Sequence, residues 1–269
     1  MIGAIIGDIA GSTYEFKNIK TKDFPLFAKG SNYTDDSLMT IAVASALIRA
    51  SERGIGFKAD VVIAMRRIAS KYPCPKGGYG GRFRHWLVAP DPQPYGSFGN
   101  GSAMRVSPCA EIADSLEMAL DLAKQSAEVT HNHPEGIKGA QSVAAAIYLA
   151  RTGESKEGIR EYIESNFYRL EKTVDEIRPK YSFDETCQGT VPQAITAFLE
   201  SESFEDALRT AVSLGGDCDT LTDITCAIAW PFYARNGIDE TMTRLKENAL
   251  ALLHDDLREI VLEWEERYC

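Results

Sequence analysis

Two short runs in this sequence carry more acid and hydroxyl than helix formation alone requires. Thr34-Asp35-Asp36 opens one apolar periodic stretch, and Gly215-Gly216-Asp217-Cys218-Asp219-Thr220 opens another. Thr and Asp are favoured helix N-caps, and acids in a first turn suit the helix dipole, so capping explains one acid in each run. It does not explain two acids and a Thr, twice. Like charges this close repel one another unless something positive sits between them. If the two loops meet, four carboxylates and two hydroxyls converge. Such an all-oxygen set, with no His or Cys placed to suit zinc, favours Mg2+, Mn2+ or Ca2+. Gly215 and Gly216 would let the backbone turn tightly beside the ions. Spacing alone does not establish that the loops meet.

Other features are weaker when taken singly. Residues 98–105 read FGNGSAMR, a glycine-rich loop whose backbone N–H groups are free to meet phosphate. It matches neither the P-loop nor the dinucleotide fingerprint, because no strand precedes it. Glu15 on its own reads as a solvated loop charge. Of the four His, His131 and His133 precede a small-residue helix, and His133-Pro134 reads as its start. His85 and His254 have no motif around them.

In chain order, however, these runs form a set. Gly7-Asp8-Ile9-Ala10-Gly11-Ser12 with Glu15, then Thr34-Asp35-Asp36, Phe98 through Arg105, Thr130-His131 and Gly215 through Thr220 resemble the ADP-ribosylglycohydrolase family. That family includes the dinitrogenase-reductase-activating glycohydrolase and the ADP-ribosyl-acceptor hydrolases, and the resemblance spans nearly the whole chain. It implies an all-α orthogonal helical bundle with a binuclear centre of two Mg2+ (or Mn2+). Thr34, Asp35 and Asp36 would bind metal from one loop, and Asp217, Asp219 and Thr220 from the other. Cys218 departs from the pattern, where Thr is more usual, and its side chain should point away from the metals. By the same resemblance Glu15 lies at the metal site and gates or orients the substrate. Gly99, Asn100, Gly101 and Ser102 line the pyrophosphate or distal ribose, and His131 reaches a phosphate or ribose oxygen. Phe98, Tyr79 or Tyr95 would stack on a ring; which of them does so stays open.

The chemistry implied is hydrolysis of an N- or O-glycosidic bond at the anomeric carbon of a ribose, through an oxocarbenium-like transition state. The metals would clamp the vicinal hydroxyls and polarise a water. Asp35 or Asp36 would be the general base, with Asp36 preferred, and the leaving group's proton would come from the same carboxylate, from water or from Glu15. The substrate would be an ADP-ribosylated protein or an ADP-ribose conjugate; arginine, serine, polymer and ester linkages stay open. Two rivals remain. A two-metal phosphodiesterase would normally mix His with Asp, and such His are missing. A binding or structural relative that has lost catalysis would most simply show a broken metal set, and all six positions are intact.

Helical patterns are expected to position these residues. They fall at about 1–12, from Asp36 to near Gly54, 58–70, 114–129, 136–152, 156–164, 187–201, 204–213, 219–235, 239–249 and 254–267. Residues 13–34 read as a loop. So do 72–102, where Gly, Pro and aromatics concentrate; a loop of that length is usually functional, and a disordered linker is the other reading. Val/Ile/Thr alternation is nearly absent, so no sheet is expected, and no repeat or linker divides residues 1–269 into more than one domain.

Composition sets outer bounds. The chain has 269 residues, 44% hydrophobic and 25% charged, ordinary for a globular protein. Its net charge of −10 disfavours nucleic acid as a general partner but leaves room for a phosphorylated ligand held by local donors. Six scattered Cys with no CxxC pair suit free thiols in a reducing compartment. The apolar start MIGAIIGDIAGS lacks a basic leader and is interrupted by Asp8, so it does not read as a signal peptide. No stretch reaches the roughly 18 apolar residues of a membrane span. A soluble, cytoplasmic monomer is expected.

Overall fold

The computed structural model describes residues 1–53 and 56–268. Gly54, near which the second helix is expected to end, and Cys269 lie outside them. Among the described residues the chain forms helices and no strands, with two isolated β-bridges, Thr34 to Lys76 and Gly99 to Thr186. The helices are α1 (Ile2–Gly11), α2 (Asp35–Arg53), α3 (Phe57–Lys71), α4 (Gly81–Val88), α5 (Gly101–Met104), α6 (Ser107–Ile112), α7 (Leu116–Glu128) and α8 (Pro134–Arg151). Then come α9 (Lys156–Asn166), α10 (Val174–Ile177), α11 (Cys187–Leu199), α12 (Phe204–Leu214), α13 (Cys218–Ala234), α14 (Glu240–Leu252) and α15 (Asp255–Tyr268).

The long helices fall where the 3.6-residue pattern puts them. Four short ones do not. α4 interrupts the segment expected to be loop throughout: Gly80 and Gly81 look like a breaker, yet the helix begins there because Trp86 has a site to fill. Trp86 is buried and stacks on Phe83, ring centroids 5.5 Å apart. α5, α6 and α10 are also unforeseen, being too short to show a period. Residues 13–33 are irregular, as expected.

Every residue of α1 is buried, so it runs through the interior rather than along the surface. Its neighbour is α13, and the two pack more extensively than any other pair of helices. Glycines make the approach possible. A Cβ on Gly11 would lie 2.6 Å from the Cys218 carbonyl oxygen and 2.7 Å from Asp219 Cα, while Gly7 faces Thr222 and Gly3 faces Cys226 in the same way. Ile5, Ile6 and Ile9 fill the other sides and are fully buried, each contributing about 2 kcal/mol of apolar transfer. Nearly all the buried hydrophobic side chains form one contiguous cluster reaching from Met1 to Trp264. This packing brings the end of α1, the start of α2 and the start of α13 together at one end of the core.

Candidate metal centre and substrate cleft

The acid at the N-cap position of α13 does not serve as an ordinary cap. Several helices here start on a side-chain cap of the ordinary kind: Ser115, Ser155, Thr186, Ser203 and Asp239 each accept from a backbone N–H of the following turn. Asp217 occupies the N-cap position of α13 but makes no such bond. In the first run it is Thr34, through Oγ1, that accepts from Asp36 N, at 3.2 Å. The two acidic loops do meet. Carboxylate oxygens of Asp8, Asp36 and Asp219 lie within 4.8 Å of one another, and so do those of Glu15, Asp217 and Asp219.

Asp8 is the residue that sequence reasoning passed over. It is fully buried and accepts from Thr34 N at 2.9 Å, Thr34 Oγ1 at 2.8 Å and Ser37 N at 3.1 Å, and also from the Ser37 hydroxyl. It therefore shapes the whole turn that carries Asp35 and Asp36. The signal was present: a single acid inside the apolar run MIGAIIGDIAG has no reason to be there unless it is bonded or charged against something. The second loop is held from outside by Asn18. Its amide accepts from Gly216 N at 2.8 Å and donates to Gly216 O at 3.0 Å. Gly215 and Gly216 both take positive φ, 69° and 75°, as a tight turn into α13 demands.

Concentrating acids in the interior is costly without a counter-charge. Burial, and then the charges of neighbouring carboxylates, push Asp35, Asp36 and Asp219 well above the ordinary carboxylate range. Burial also raises Asp8 and Asp217. Glu15 is pushed up to about 7, first by burial and then by the charge of Asp217. Two oxygens, Asp36 Oδ1 and Glu15 Oε2, are buried without a hydrogen-bond partner. Unpaired acceptors and mutual repulsion are both relieved by a hard cation, so Asp8, Glu15, Asp36, Asp217 and Asp219 could hold one or more divalent ions.

Beside the acids opens a cleft of about 490 Å³. Glu15, Asp35, Asp36, Asp217, Asp219 and Thr220 line it, and so do Phe98, Gly99, Asn100, Gly101, Arg105 and His131. Gly77 through Phe83, Tyr95, Phe183 and Glu185 complete it. The glycine-rich loop is pinned from the side: Asn100 N donates to Glu185 O at 2.8 Å, and Cys187 N donates to Phe98 O at 2.9 Å.

Two expected residues do not face this cleft. Thr34 is fully buried, and its hydroxyl is within donating distance of Asp8 Oδ1 (2.8 Å) and Asp36 Oδ2 (3.0 Å); it lies behind the carboxylates. Ser102, expected among the substrate contacts, is also fully buried and donates to Gly136 O at 2.7 Å. Asn100 lines the cleft, but its amide is engaged, donating to Asp217 Oδ2 at 2.6 Å and Thr190 Oγ1 at 3.0 Å. Tyr79 reaches the wall edge-on to Phe83, with its hydroxyl donated to Tyr72 O at 2.9 Å. Phe98 is 41% exposed at the mouth, free to meet a ring. Cys218 turns into the core, where its thiol faces Val212 O. His133 is the N-cap of α8, accepting from Glu135 N. Arg82, Phe16, Phe183 and Glu185 also line the cleft and carry no sequence motif.

Residues 1–267 match the ADP-ribosylglycohydrolase family model. The chain is 27% identical to human ADP-ribosylhydrolase ARH3, over 90% of this chain and 86% of that protein. It is 25% identical to ADP-ribosylarginine hydrolase Tri1 of Pseudomonas putida, over 88% of this chain and 70% of that one. A solved ADP-ribosylglycohydrolase-related protein complex shares the fold, with a TM-score of 0.70 and 22% identity over 100% of this chain and 97% of that one. The chain belongs to the ADP-ribosylglycohydrolase family, hydrolases that act on ADP-ribose.

Proposed function

We propose that this protein uses two divalent cations, Mg2+ or Mn2+, to release ADP-ribose from modified proteins or small acceptors by cleaving the glycosidic bond at the distal ribose. The observation that carries the reading is the convergence of both acidic loops on a cleft that the 98–101 loop and His131 also line. Asp36, Asp217, Asp219 and Thr220 would hold the cations, joined by Asp8, with Thr34 supporting Asp8 and Asp36 from behind. Bound there, the cations supply positive charge that orients the vicinal ribose hydroxyls and polarises the reacting oxygen.

The chain's own groups divide the remaining work. Both Asp35 and Asp36 line the cleft, but Asp36 is 2% exposed and bonded to Thr34. Asp35 is therefore the better placed to take the proton of the attacking water, and it replaces Asp36 as the preferred base. As the water oxygen bonds to the anomeric carbon, the bond from that carbon to the acceptor nitrogen or oxygen breaks. Glu15, which lines the same cleft, can return a proton to the leaving group. The glycine-rich loop and His131 hold the phosphates and distal ribose, and Phe98 offers a ring face at the mouth. The linkage to the acceptor stays open.

Calorimetry with free ADP-ribose and AMP, each with and without magnesium, tests this. ADP-ribose keeps nearly every proposed contact and should bind at micromolar strength, about −8 kcal/mol, with affinity falling on chelation. AMP lacks the distal ribose and should bind more weakly, with almost no dependence on metal. Equal metal dependence for the two ligands would favour the phosphodiesterase alternative. Tight ADP-ribose binding without any turnover would favour a catalytically inactive relative.

A further inference from the structure

We propose that Arg105 and Thr130 are positioning residues for His131. Together they fix its ring as the tautomer protonated on Nε2, so that it presents a permanent, uncharged hydrogen-bond donor to the cleft.

The argument starts at the buried guanidinium. Arg105 is 1% exposed. It donates from Nη1 to Gly101 O at 3.0 Å and from Nη2 to Ser126 O at 2.7 Å and Thr130 Oγ1 at 2.9 Å. A guanidinium has no acceptor, so in the last of these the hydroxyl of Thr130 must be the acceptor. That hydroxyl is fully buried and has one proton of its own to place. Among the described residues its only other partner is His131 Nδ1, at 2.7 Å. The proton of Thr130 therefore goes to Nδ1, which must carry a lone pair, and the ring's own proton sits on Nε2. The opposite tautomer would aim Nδ1–H at Thr130 and strand the hydroxyl proton in the core, a fault worth about tenfold or more in the tautomer ratio.

The doubly protonated ring is disfavoured as well. The charged groups that face His131 are Arg105 and Arg82, both cationic, and Tyr95 lies tilted against it with ring centroids 6.0 Å apart. Burial first, then those two charges, hold its basicity well below the usual histidine range.

The far edge of the ring is left open. A Cβ on Gly101 would come within 3.3 Å of Nε2 and one on Gly99 within 3.6 Å. The two glycines of the loop therefore keep side chains off the donor, and among the described residues none accepts from it. What meets that donor rests on the ADP-ribose reading of the cleft. A phosphate or ribose oxygen fits, since a neutral donor serves either without titrating near neutral pH.

The test is NMR of protein labelled with 15N-histidine, the His131 signals being identified by their loss in His131→Gln. The wild-type ring should show the Nε2–H pattern from pH 5 to 8. Thr130→Ser, which keeps the hydroxyl, should preserve it. Thr130→Val, which keeps the shape and loses the relay, should move the ring toward the other tautomer and weaken ADP-ribose binding about tenfold. A wild-type ring protonated on Nδ1, or one that titrates alongside the exposed histidines, overturns the proposal even if Thr130→Val does not fold. So does a Thr130→Val ring identical to wild type. Failure of the ADP-ribose reading would show separately, as no binding of ADP-ribose to a wild-type protein whose His131 ring is nonetheless fixed.

Discussion

Replacing Gly11 by Ala should couple the packing of α1 against α13 to the metal centre. The added methyl would sit 2.6 Å from Cys218 O and 2.7 Å from Asp219 Cα, roughly 1 Å inside ordinary contact. Both obstacles are backbone, so no side chain can swing aside and the two helices must separate locally. Overpacking of this kind costs about 1–3 kcal/mol, and Ala returns up to about 1 kcal/mol in helix propensity. A net loss of about 1–2 kcal/mol should lower the melting temperature by about 2–4 °C. Because the displaced atom is Asp219 Cα, the rise in melting temperature caused by magnesium should shrink as well. Gly3→Ala is the control. Its methyl meets Trp230 Cβ at 2.5 Å in the same helix pair, about 12 Å further along the axis. It should cost similar stability and leave the magnesium effect intact. Differential scanning fluorimetry with chelator and with magnesium reads both quantities. A Gly11→Ala protein that melts at or above wild type, or keeps the full magnesium shift, would refute the coupling.

Three further outcomes are expected. Asp219→Asn should abolish most of the magnesium-induced gain in melting temperature, because Asp219 is common to both carboxylate groupings and an amide oxygen is a poorer ligand; an unchanged gain would remove Asp219 from the site. Glu15→Ala should lower turnover while two ions per chain remain by metal analysis; an emptied site would make Glu15 a ligand rather than a proton donor. The chelated protein should lose stability as pH rises from about 5 to 8. Glu15, moved from 4.5 to about 7, and Asp35, Asp36 and Asp219, raised in the same direction, bind protons more tightly when folded. The native state then holds more protons than the unfolded state across that window, so raising the pH favours unfolding. Magnesium should reverse the slope, since it competes with those protons; chelated stability that rose with pH would contradict the raised carboxylates.

What could be read from the sequence depended on how local the cause was. The long helices follow from periodicity, and the acidic runs stood out because a cap needs one acid and each run has two. α4 was hidden because Gly80-Gly81 signals a break, while the reason for helix, a buried site for Trp86, is tertiary. Asp8 was visible as a misfit in an apolar run, yet its four donors sit 26 and 29 positions away. Ser102 shows the reverse: its motif points to substrate, but its hydroxyl is taken by Gly136 O, 34 residues on. Arg105, Thr130 and His131 could each be located in a motif, but nothing in their spacing reveals that they form a hydrogen-bonded chain.

The most direct test of the central claim is identification of the products. An ADP-ribosylated peptide, offered in arginine-linked and serine-linked forms with magnesium, should yield free ADP-ribose and unmodified peptide by mass spectrometry from at least one form, and nothing after chelation. Release of AMP with a phosphoribosyl group left on the peptide would show that the pyrophosphate, not the glycosidic bond, is cut, and would contradict the account.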